Sequence, residues 1–296
     1  MVEVSEVSSA VRRALFGSIV RGTSEFADAD AAIRRGVPTC RRVNFVSLRG
    51  GTGVSTAAAS VATVLAQRRP RVLAIDGGTG RTLTRLTRAD GLLEPPAPPE
   101  PGRRRTLPER GFVATTFWEA TKSIPVSPTG LRVAAPVRTG TRQASPLEWR
   151  AFVEPVTRFF DVAVGDWGRR SASADLGAVV DDAHVVALVA RADRFALEEA
   201  LAHVEAIRTR SGRTPIVVAM VVDGVGPTAS RVAASWAIAP VHHIPFDASA
   251  GTAAPASHAV REAYIHLAAA LITGSLPPSP ALPPTTKIEA SAEAHA

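Results

Sequence analysis

The sequence predicts an α/β fold in which a mostly parallel β-sheet is flanked by helices on both faces. Short apolar segments alternate with longer segments of helical periodicity from about residue 41 to residue 273. The apolar segments, such as HVVALVA, are continuous runs, which is typical of parallel strands that are buried on both faces. A glycine-rich turn, RGGTG, follows the first of these segments and precedes a helical one.

Seven apolar segments are expected to form the strands of one domain over residues 41–273. Helical segments such as STAAASVATVLAQRR and FALEEALAHVEAIRTR lie between several of them. A length of 296 residues with 46% hydrophobic residues is enough for a substantial core. The predicted strands are, in chain order, VNFVSL, RVLAID, LRVAAPV, FDVAVGD, HVVALVA, PIVVAMVV and VHHIPF.

Residues 1–40 are predicted to form a helical extension. An apolar residue recurs every three or four positions from Val4 to Ile19, which indicates a helix that packs on the domain or on a partner, with a membrane-surface helix as the alternative. A second helix is expected over TSEFADADAAIRRG, where Thr23 or Ser24 caps the start and Gly36 ends the helix.

Two proline-rich segments fall outside this pattern. LLEPPAPPEPGRRRTLPERG, residues 92–111, is predicted to be a surface or disordered loop, because repeated prolines exclude a regular element. Residues 274–296 lack apolar periodicity and are expected to form a flexible tail.

Composition excludes several classes of protein. Cys40 is the only cysteine, which excludes an internal disulfide framework and a cysteine-based zinc site. No apolar run reaches about 18 residues and the N-terminus lacks a signal-peptide layout, so a cytoplasmic location is expected, with peripheral membrane attachment left open. The net charge of +7 is carried almost wholly by arginine, and such a surface leaves nucleic acid or anionic lipid open as partners.

The glycine-rich turn has the layout of a phosphate-binding loop, in which backbone N–H groups and a helix N-terminus converge on an anion. The general pattern is G-x-x-x-x-G-K-[ST], where the lysine contacts the β and γ phosphates and the hydroxyl binds Mg²⁺. The aligned stretch matches this pattern at Gly53 and Ser55 and departs from it at Leu48 and Val54. The sequence therefore predicts a phosphate cradle without its lysine.

The segment RGGTGVST resembles the deviant Walker A motif, K-G-G-x-G-K-[ST]-T, of the MinD/ParA class of P-loop ATPases. RVLAIDGGTG is similar to the second strand of that class with its D-x-D element, FDVAVGDWG to its Walker B strand, and VHHIPFDASAG to its late I-P-x-D segment. The resemblance covers residues 41–272 and implies the P-loop NTPase fold. TCRRVNFVSLRGG is more loosely similar to MinD-like proteins encoded near type VII secretion systems in actinobacteria.

The resemblance implies which residues would bind a nucleotide, with ATP and Mg²⁺ as the expected ligands. The magnesium ligands that it implies are Ser55, Asp76 and Asp166. Base identity stays open, because Asp223 stands where the family has an adenine-contacting Asn, and a carboxylate accepts hydrogen bonds without donating them. The nucleotide contacts that it implies are Arg49, Gly50, Gly51, Thr52, Gly53, Val54, Ser55, Thr56, Asp223 and Pro245.

Three departures from the family pattern concern hydrolysis. Val54 replaces the Walker lysine, and Arg49 replaces the signature lysine that in the family reaches the partner subunit's nucleotide across a dimer. Asp76 retains the first acid of the D-x-D element, but Gly78 occupies the position of the second, which in the family activates the attacking water. Loss of a cation at the transferring phosphate costs about a thousandfold or more in rate, so hydrolysis is expected to be weak or absent.

The expected function is that of a degenerate MinD/ParA-like protein, a positioning, regulatory or scaffold component that binds nucleotide without useful turnover. Three alternatives stay open: an active ATPase that uses Arg49 in place of the lost lysine, a non-specific DNA-binding partition protein, and an α/β fold whose loop is only a glycine turn. The expected partner is another protein or a second copy of the chain. An active paralogue, nucleic acid and a membrane surface reached through the N-terminal helix are further candidates.

A few other residues bear on these alternatives. Trp167 directly follows the Walker B acid, where its indole would either block the magnesium position or pack on the sheet. His242 and His243 are adjacent strand residues that point to opposite faces, so a joint metal site is not expected. Arg191 and Arg194 are candidates for contact with a partner, because the family builds a partner-facing helix at this point.

Overall fold

The computed structural model describes residues 24–89, 114–136, 142–170, 173–222, 228–249 and 256–276. The first predicted helix, the proline-rich loop and nearly all of the predicted tail lie outside these residues. No helix in the described ranges is long and apolar enough to cross a membrane.

Seven parallel strands form one sheet in the order β3-β2-β4-β1-β5-β6-β7. Strand β1 therefore lies in the middle, with later strands added on both sides of it. In such sheets the crevice at the carboxyl ends of the central strands is the usual ligand site. The predicted parallel α/β fold is confirmed. The strands are β1 (Arg41–Ser47), β2 (Val72–Asp76), β3 (Arg132–Ala134), β4 (Val162–Arg169), β5 (Val185–Arg191), β6 (Ile216–Met220) and β7 (Val241–Ile244).

Helices cover both faces of the sheet. The structure has α1 (24–34), α2 (Val54–Ala66), α3 (Thr82–Leu86), α4 (Phe117–Thr121), α5 (Pro146–Thr157), α6 (Ser173–Asp181), α7 (Arg194–Ala202), α8 (Val204–Ser211), α9 (Thr228–Ser235) and α10 (His258–Ser275). One apolar cluster joins the sheet to α1, α2, α3 and α10. A second cluster joins the opposite face to α5, α6, α7, α8 and α9. Both faces of every central strand are therefore buried, which explains their continuous apolar sequences.

Helix α1 belongs to the first of these cores. Its residue Ile33 is completely buried in the cluster that contains α2 and α10. The Arg69 guanidinium donates to the carbonyls of Ile33 and Arg35 at the C-terminal end of the helix, where the backbone acceptors lack partners within the helix. Arg68 pairs with Asp30 at 2.7 Å. The helix predicted over residues 23–36 is thus confirmed, and it packs on the domain.

Candidate functional site

The loop between β1 and α2 turns the chain through two glycines in the left-handed region. Gly51 has φ +71° and Gly53 has φ +84°, a conformation that glycine adopts without steric cost. A Cβ at Gly53 would also lie 3.1 Å from the ε-methyl of Met220 at the end of β6. The glycines are thus required for the shape of the loop as well as for access to it.

The loop leaves space for an anion at the N-terminus of α2. A Cβ placed on Gly50 or Gly51 would meet no heavy atom within 4 Å. Gly53 is the N-cap residue, and no side chain caps the helix. The first-turn amides therefore keep donors and partial positive charge for a ligand. This geometry is that of a phosphate cradle.

Two buried carboxylates stand beside the N-terminus of α2. Asp76 ends β2 and Asp166 lies next to it in β4, where the two residues are paired in register. Asp166 follows Val162 and Val164 in the alternation of β4, so it faces the same side as α2. Oδ2 of Asp76 accepts from the Thr84 amide at 2.9 Å and from its hydroxyl at 2.7 Å. Oδ1 of Asp166 accepts from the Gly168 amide at 2.9 Å.

Burial weakens the acidity of both carboxyls. Desolvation raises the pKa of Asp166 from 3.8 to about 6, and the charge of Asp76 adds to this rise, whereas the Ser55 side chain lowers the pKa. Desolvation also raises the pKa of Asp76, against the effect of its two hydrogen bonds from Thr84. A nearby cation would favour the ionised forms of both groups. A positive ligand would therefore stabilise the ionised pair, and the Ser55 side chain interacts with Asp166.

Buried polar atoms without a partner concentrate at this site. Within the described ranges six buried side-chain atoms make no hydrogen bond; three of the six belong to the loop and the two acids, and a fourth belongs to Arg81, whose charge lowers the pKa of Asp76. Native proteins leave few such atoms, so each requires an explanation. A magnesium–phosphate ligand would satisfy them, because the four include two carboxylate acceptors for a cation, one hydroxyl, and one guanidinium donor for an anion. These four are Thr52 Oγ1, Asp76 Oδ1, Asp166 Oδ2 and Arg81 Nε; the others are Arg41 Nε and Trp167 Nε1.

The side chains at this site suit Mg²⁺ better than a metal ion that is bound by protein side chains alone. No group of three or more His, Cys, Asp or Glu side chains suited to a metal occurs in the part of the chain that the structure describes. Mg²⁺ commonly takes one or two carboxylates and completes its shell with water and phosphate oxygens. Ser55 with Asp76 and Asp166 fits that pattern.

The structure describes the three residues that depart from the deviant Walker A motif and the D-x-D element. Val54 opens α2 and packs against the first apolar cluster. Arg49 points along the surface, where its Nε lies 2.5 Å from Oε2 of Glu199 in α7. A Cβ on Gly78 would lie 3.6 Å from Oδ2 of Asp166, which is ordinary van der Waals contact. The structure thus holds Arg49 in an ion pair on the surface.

Trp167 packs on the opposite face of the sheet from the site. Its buried ring stacks on Trp149 of α5, with ring centroids 4.2 Å apart. Trp149 in turn lies over Gly165 and Gly77, where a Cβ would approach its ring to 2.5 Å and 2.9 Å. Adjacent strand residues point to opposite faces, so Asp166 faces α2 while Trp167 enters the second core. The alternative in which the indole blocks the magnesium position is wrong.

The structure also describes most of the remaining predicted residues. Thr56 lies in the first turn of α2, and Pro245 is half-buried just after β7. Asp223 lies outside the described residues, so its contact with a base stays a prediction. His243 contacts Ser230 of α9 through Nδ1 at 2.7 Å, whereas the pKa of His242 is lowered first by burial and then by His266 of α10.

The expected opposite orientation of His242 and His243 is confirmed, because α9 and α10 cover opposite faces of the sheet. Farther along the surface, Arg194 pairs with Glu198 at 2.7 Å. Nε of Arg191 lies 3.9 Å from Oδ2 of Asp193. Contact of either arginine with a partner stays a prediction.

Two residues of the site have no signal in the sequence that would have identified them. Thr84 supplies both hydrogen bonds to Asp76, but a threonine in a helical segment is ordinary. Arg81 is one of many arginines, and only its positive φ of 52° distinguishes it. Both depend on how α3 folds back over the end of β2, which a local pattern does not specify.

Comparison with known proteins finds the same fold. No family model matches the chain, and no curated protein matches it. A ParA family ATPase from Chlorobium tepidum is 16% identical, with a TM-score of 0.54 over 77% of this chain and 98% of that one. MinD in a MinC:MinD complex from Aquifex aeolicus is 17% identical, with a TM-score of 0.55 over 81% and 99%.

A third structure was solved with a nucleotide. MinD from Pyrococcus horikoshii in complex with Mg-ADP is 17% identical, with a TM-score of 0.53 over 77% of this chain and 94% of that one. At these identities the likeness establishes the fold, that of the MinD/ParA P-loop NTPases, and leaves the activity to the site itself.

Proposed function

We propose that the protein is a MinD/ParA-like nucleotide-binding component with a positioning, regulatory or scaffold role, which binds a magnesium nucleotide and hydrolyses it weakly or not at all. The observation that carries the proposal is the set of four buried polar atoms without partners around the loop. A fold that kept the glycine turn only for its shape would gain stability by losing these groups, because each buried unsatisfied group costs about 1–3 kcal/mol.

The residues divide between the anion and the cation. The first-turn amides of α2 and the Thr52 hydroxyl would contact phosphate oxygens. Ser55, Asp76 and Asp166 would hold Mg²⁺, which supplies a positive charge to the phosphates when bound. The two free carboxylate oxygens lie on neighbouring strands and face the same helix, so one cation satisfies both.

Binding and turnover place different demands on this site. One missing charge-assisted hydrogen bond weakens binding by about 1.5–3 kcal/mol, roughly ten- to hundredfold, so the cradle without a lysine at Val54 still binds. Hydrolysis loses more, because a cation at the transferring phosphate is worth about a thousandfold or more in rate. Gly78 also provides no carboxylate to orient a water. The combination supports a nucleotide-dependent switch or scaffold rather than an efficient ATPase.

The partner is proposed to be a protein. The MinD of Aquifex aeolicus with this fold is found in complex with MinC, and such a mode would place the partner on the outer surface of this domain. A second copy of the chain, an active paralogue, nucleic acid and a membrane surface remain further proposals. A link to type VII secretion rests on the segment TCRRVNFVSLRGG alone.

Calorimetry of the full chain with MgATP, MgADP and the same nucleotides in EDTA tests the proposal. We expect binding in the micromolar range that depends on Mg²⁺. Val54→Lys should tighten it roughly ten- to hundredfold, whereas Val54→Met, which adds length without charge, should not. Absence of binding at millimolar nucleotide in the unmodified chain, with phosphate release at background, would contradict the proposal.

A further inference from the structure

Arg81 adopts a backbone conformation that arginine rarely takes. The residue immediately precedes α3 with φ 52° and ψ 41°, in the left-handed region where a Cβ crowds the following carbonyl. Arg88 and Ala237 are the other non-glycine residues with positive φ in the described ranges. Strained residues of this kind persist where the surrounding structure fixes them, and they cluster at ligand sites.

The surrounding structure fixes Arg81 through Asp76. Thr84, three residues later, donates both its amide and its hydroxyl to Oδ2 of Asp76. This pair of bonds ties the first turn of α3 to the end of β2. The Arg81 backbone, which directly precedes this turn, is thereby held near Asp76, and Leu83 of α3 packs in the same apolar cluster as α2.

The guanidinium of Arg81 has an unmet hydrogen-bond donor at this place. Its Nε is buried and makes no hydrogen bond to any residue that the structure describes. The positive charge of Arg81 lowers the pKa of Asp76, and the Thr84 bonds hold the start of α3 to the same carboxylate. A buried donor on a cation is among the costliest groups to leave without an acceptor. The missing acceptor is therefore expected to be an anion that enters the site.

We propose that Arg81 binds the phosphate oxygens of the nucleotide and thereby takes over the binding role, though not the role in turnover, of the lysine that is missing at Val54. The inference rests on the proposed function and adds the residue that supplies its cation. Guanidinium suits this role, because its planar donors match the oxygens of a phosphate and it keeps its charge when partly buried. The two positions belong to different elements, since Val54 begins α2 and Arg81 precedes α3.

The test compares Arg81→Gln with Arg85→Gln, using MgATP and magnesium tripolyphosphate as ligands. Arg85 is a matched control, because it lies one helical turn later, is exposed, and also lowers the pKa of Asp76. Tripolyphosphate removes any dependence on the base. We expect Arg81→Gln to weaken both ligands roughly ten- to hundredfold and Arg85→Gln to weaken them less than about threefold. Equal effects of the two variants would overturn the inference.

A double-mutant cycle separates phosphate contact from general charge. If Arg81 performs the task of the lysine, Val54→Lys should restore binding to Arg81→Gln and should improve the Arg81→Gln background more than the unmodified chain. Independent contributions, with the same gain from Val54→Lys in both backgrounds, would contradict the replacement.

Arg81→Gly guards against a folding artefact. Glycine accepts the left-handed conformation, so this variant should unfold at a temperature at least as high as the unmodified chain while it loses the same tenfold or more in affinity. Retention of full affinity by Arg81→Gly would overturn the inference. If the unmodified chain binds neither probe, the proposed function fails together with the inference; if it binds and Arg81→Gln binds equally well, only the inference fails.

Discussion

The two sides of β4 use adjacent residues in opposite ways. Asp166 faces α2 and keeps an unpartnered buried carboxylate oxygen, whereas Trp167 faces α5 and stacks on Trp149 in a closely packed core. The first arrangement costs stability and the second supplies it. The comparison supports the proposal that the loop side of the sheet is kept for a ligand, whereas the opposite side packs as an ordinary core.

The second core also contacts the site from behind. Trp149 fits over Gly165 and Gly77 because neither has a side chain. The Gly77 amide donates to the Asp166 carbonyl at 2.9 Å, and its carbonyl accepts from the Ala144 amide at 3.0 Å. The chain segment that leads to Gly78 is therefore held between the acid strand and the segment before α5.

The largest expected effect follows from removing the packing on this side. Trp149→Ala deletes an almost completely buried ring and its 2.7 Å hydrogen bond to Asp182, so it should lower the free energy of unfolding by about 3–5 kcal/mol. Trp118→Ala is the control, because that ring is 65% exposed. Urea denaturation measures the free energy of unfolding of both variants. A loss below about 1 kcal/mol in Trp149→Ala would contradict the view that this side of β4 is a main source of stability.

On the loop side, by contrast, a substitution at Asp166 is expected to raise the free energy of unfolding. The pKa of Asp166 is about 6 in the folded chain against an ordinary 3.8, so the ionised group opposes folding by about 3 kcal/mol at pH 7. Because the folded pKa is the higher one, the free energy of unfolding suffers no loss from Asp166 below about pH 4, where the group is protonated in both states, and it falls as the pH rises through about 6. Asp166→Asn should therefore stabilise the ligand-free chain at pH 7 and have little effect near pH 4.

Unfolding titrations of the unmodified chain and Asp166→Asn between pH 4 and pH 7.5 test this sign. In the variant the free energy of unfolding should still fall as the pH rises, but by less, because burial also raises the pKa of Asp76. A variant that is less stable than the unmodified chain at pH 7 would show that the carboxylate stabilises the fold, and the comparison between the two sides of β4 would be wrong.

The smallest effect is expected at Arg49. Its ion pair with Glu199 joins an exposed arginine to a partly exposed glutamate, and surface pairs of this kind contribute about 0–1 kcal/mol. Arg49→Ala should therefore change stability by less than about 1 kcal/mol and leave MgATP affinity within about threefold, with Glu199→Ala as its control. A Mg²⁺-dependent phosphate release that disappears in Arg49→Ala would instead support an ATPase that uses this residue.

The sequence determined the fold and the loop more fully than the contacts around them. Continuous apolar strands, the glycine turn and the acids at strand ends are local patterns, and the parallel sheet with Asp76 and Asp166 side by side follows from them. The alternation of β4 places Trp167 on the face opposite to Val162, Val164 and Asp166. The sequence does not show which of the two faces carries α2, so it left the position of the indole open.

Contacts between distant segments had no comparable local pattern. Arg49 pairs with a residue 150 positions away, and Trp149 fills the space over two glycines from two other segments. Arg81 takes its left-handed conformation directly before the helix whose Thr84 bonds to Asp76 of another segment. Each of these depends on how loops and helices fold back over the sheet, which is decided by packing rather than by periodicity.

The most direct test of the account is the stabilisation by MgATP of the unmodified chain and of Asp166→Asn, measured as the free energy of unfolding with and without saturating ligand. We expect Asp166→Asn to be the more stable of the two without ligand. MgATP at a hundredfold excess over its Kd should stabilise the unmodified chain by about 2.7 kcal/mol and Asp166→Asn clearly less. Equal gains, or no gain in the unmodified chain, would contradict the claim that the unpartnered groups beside the loop are maintained for a magnesium nucleotide.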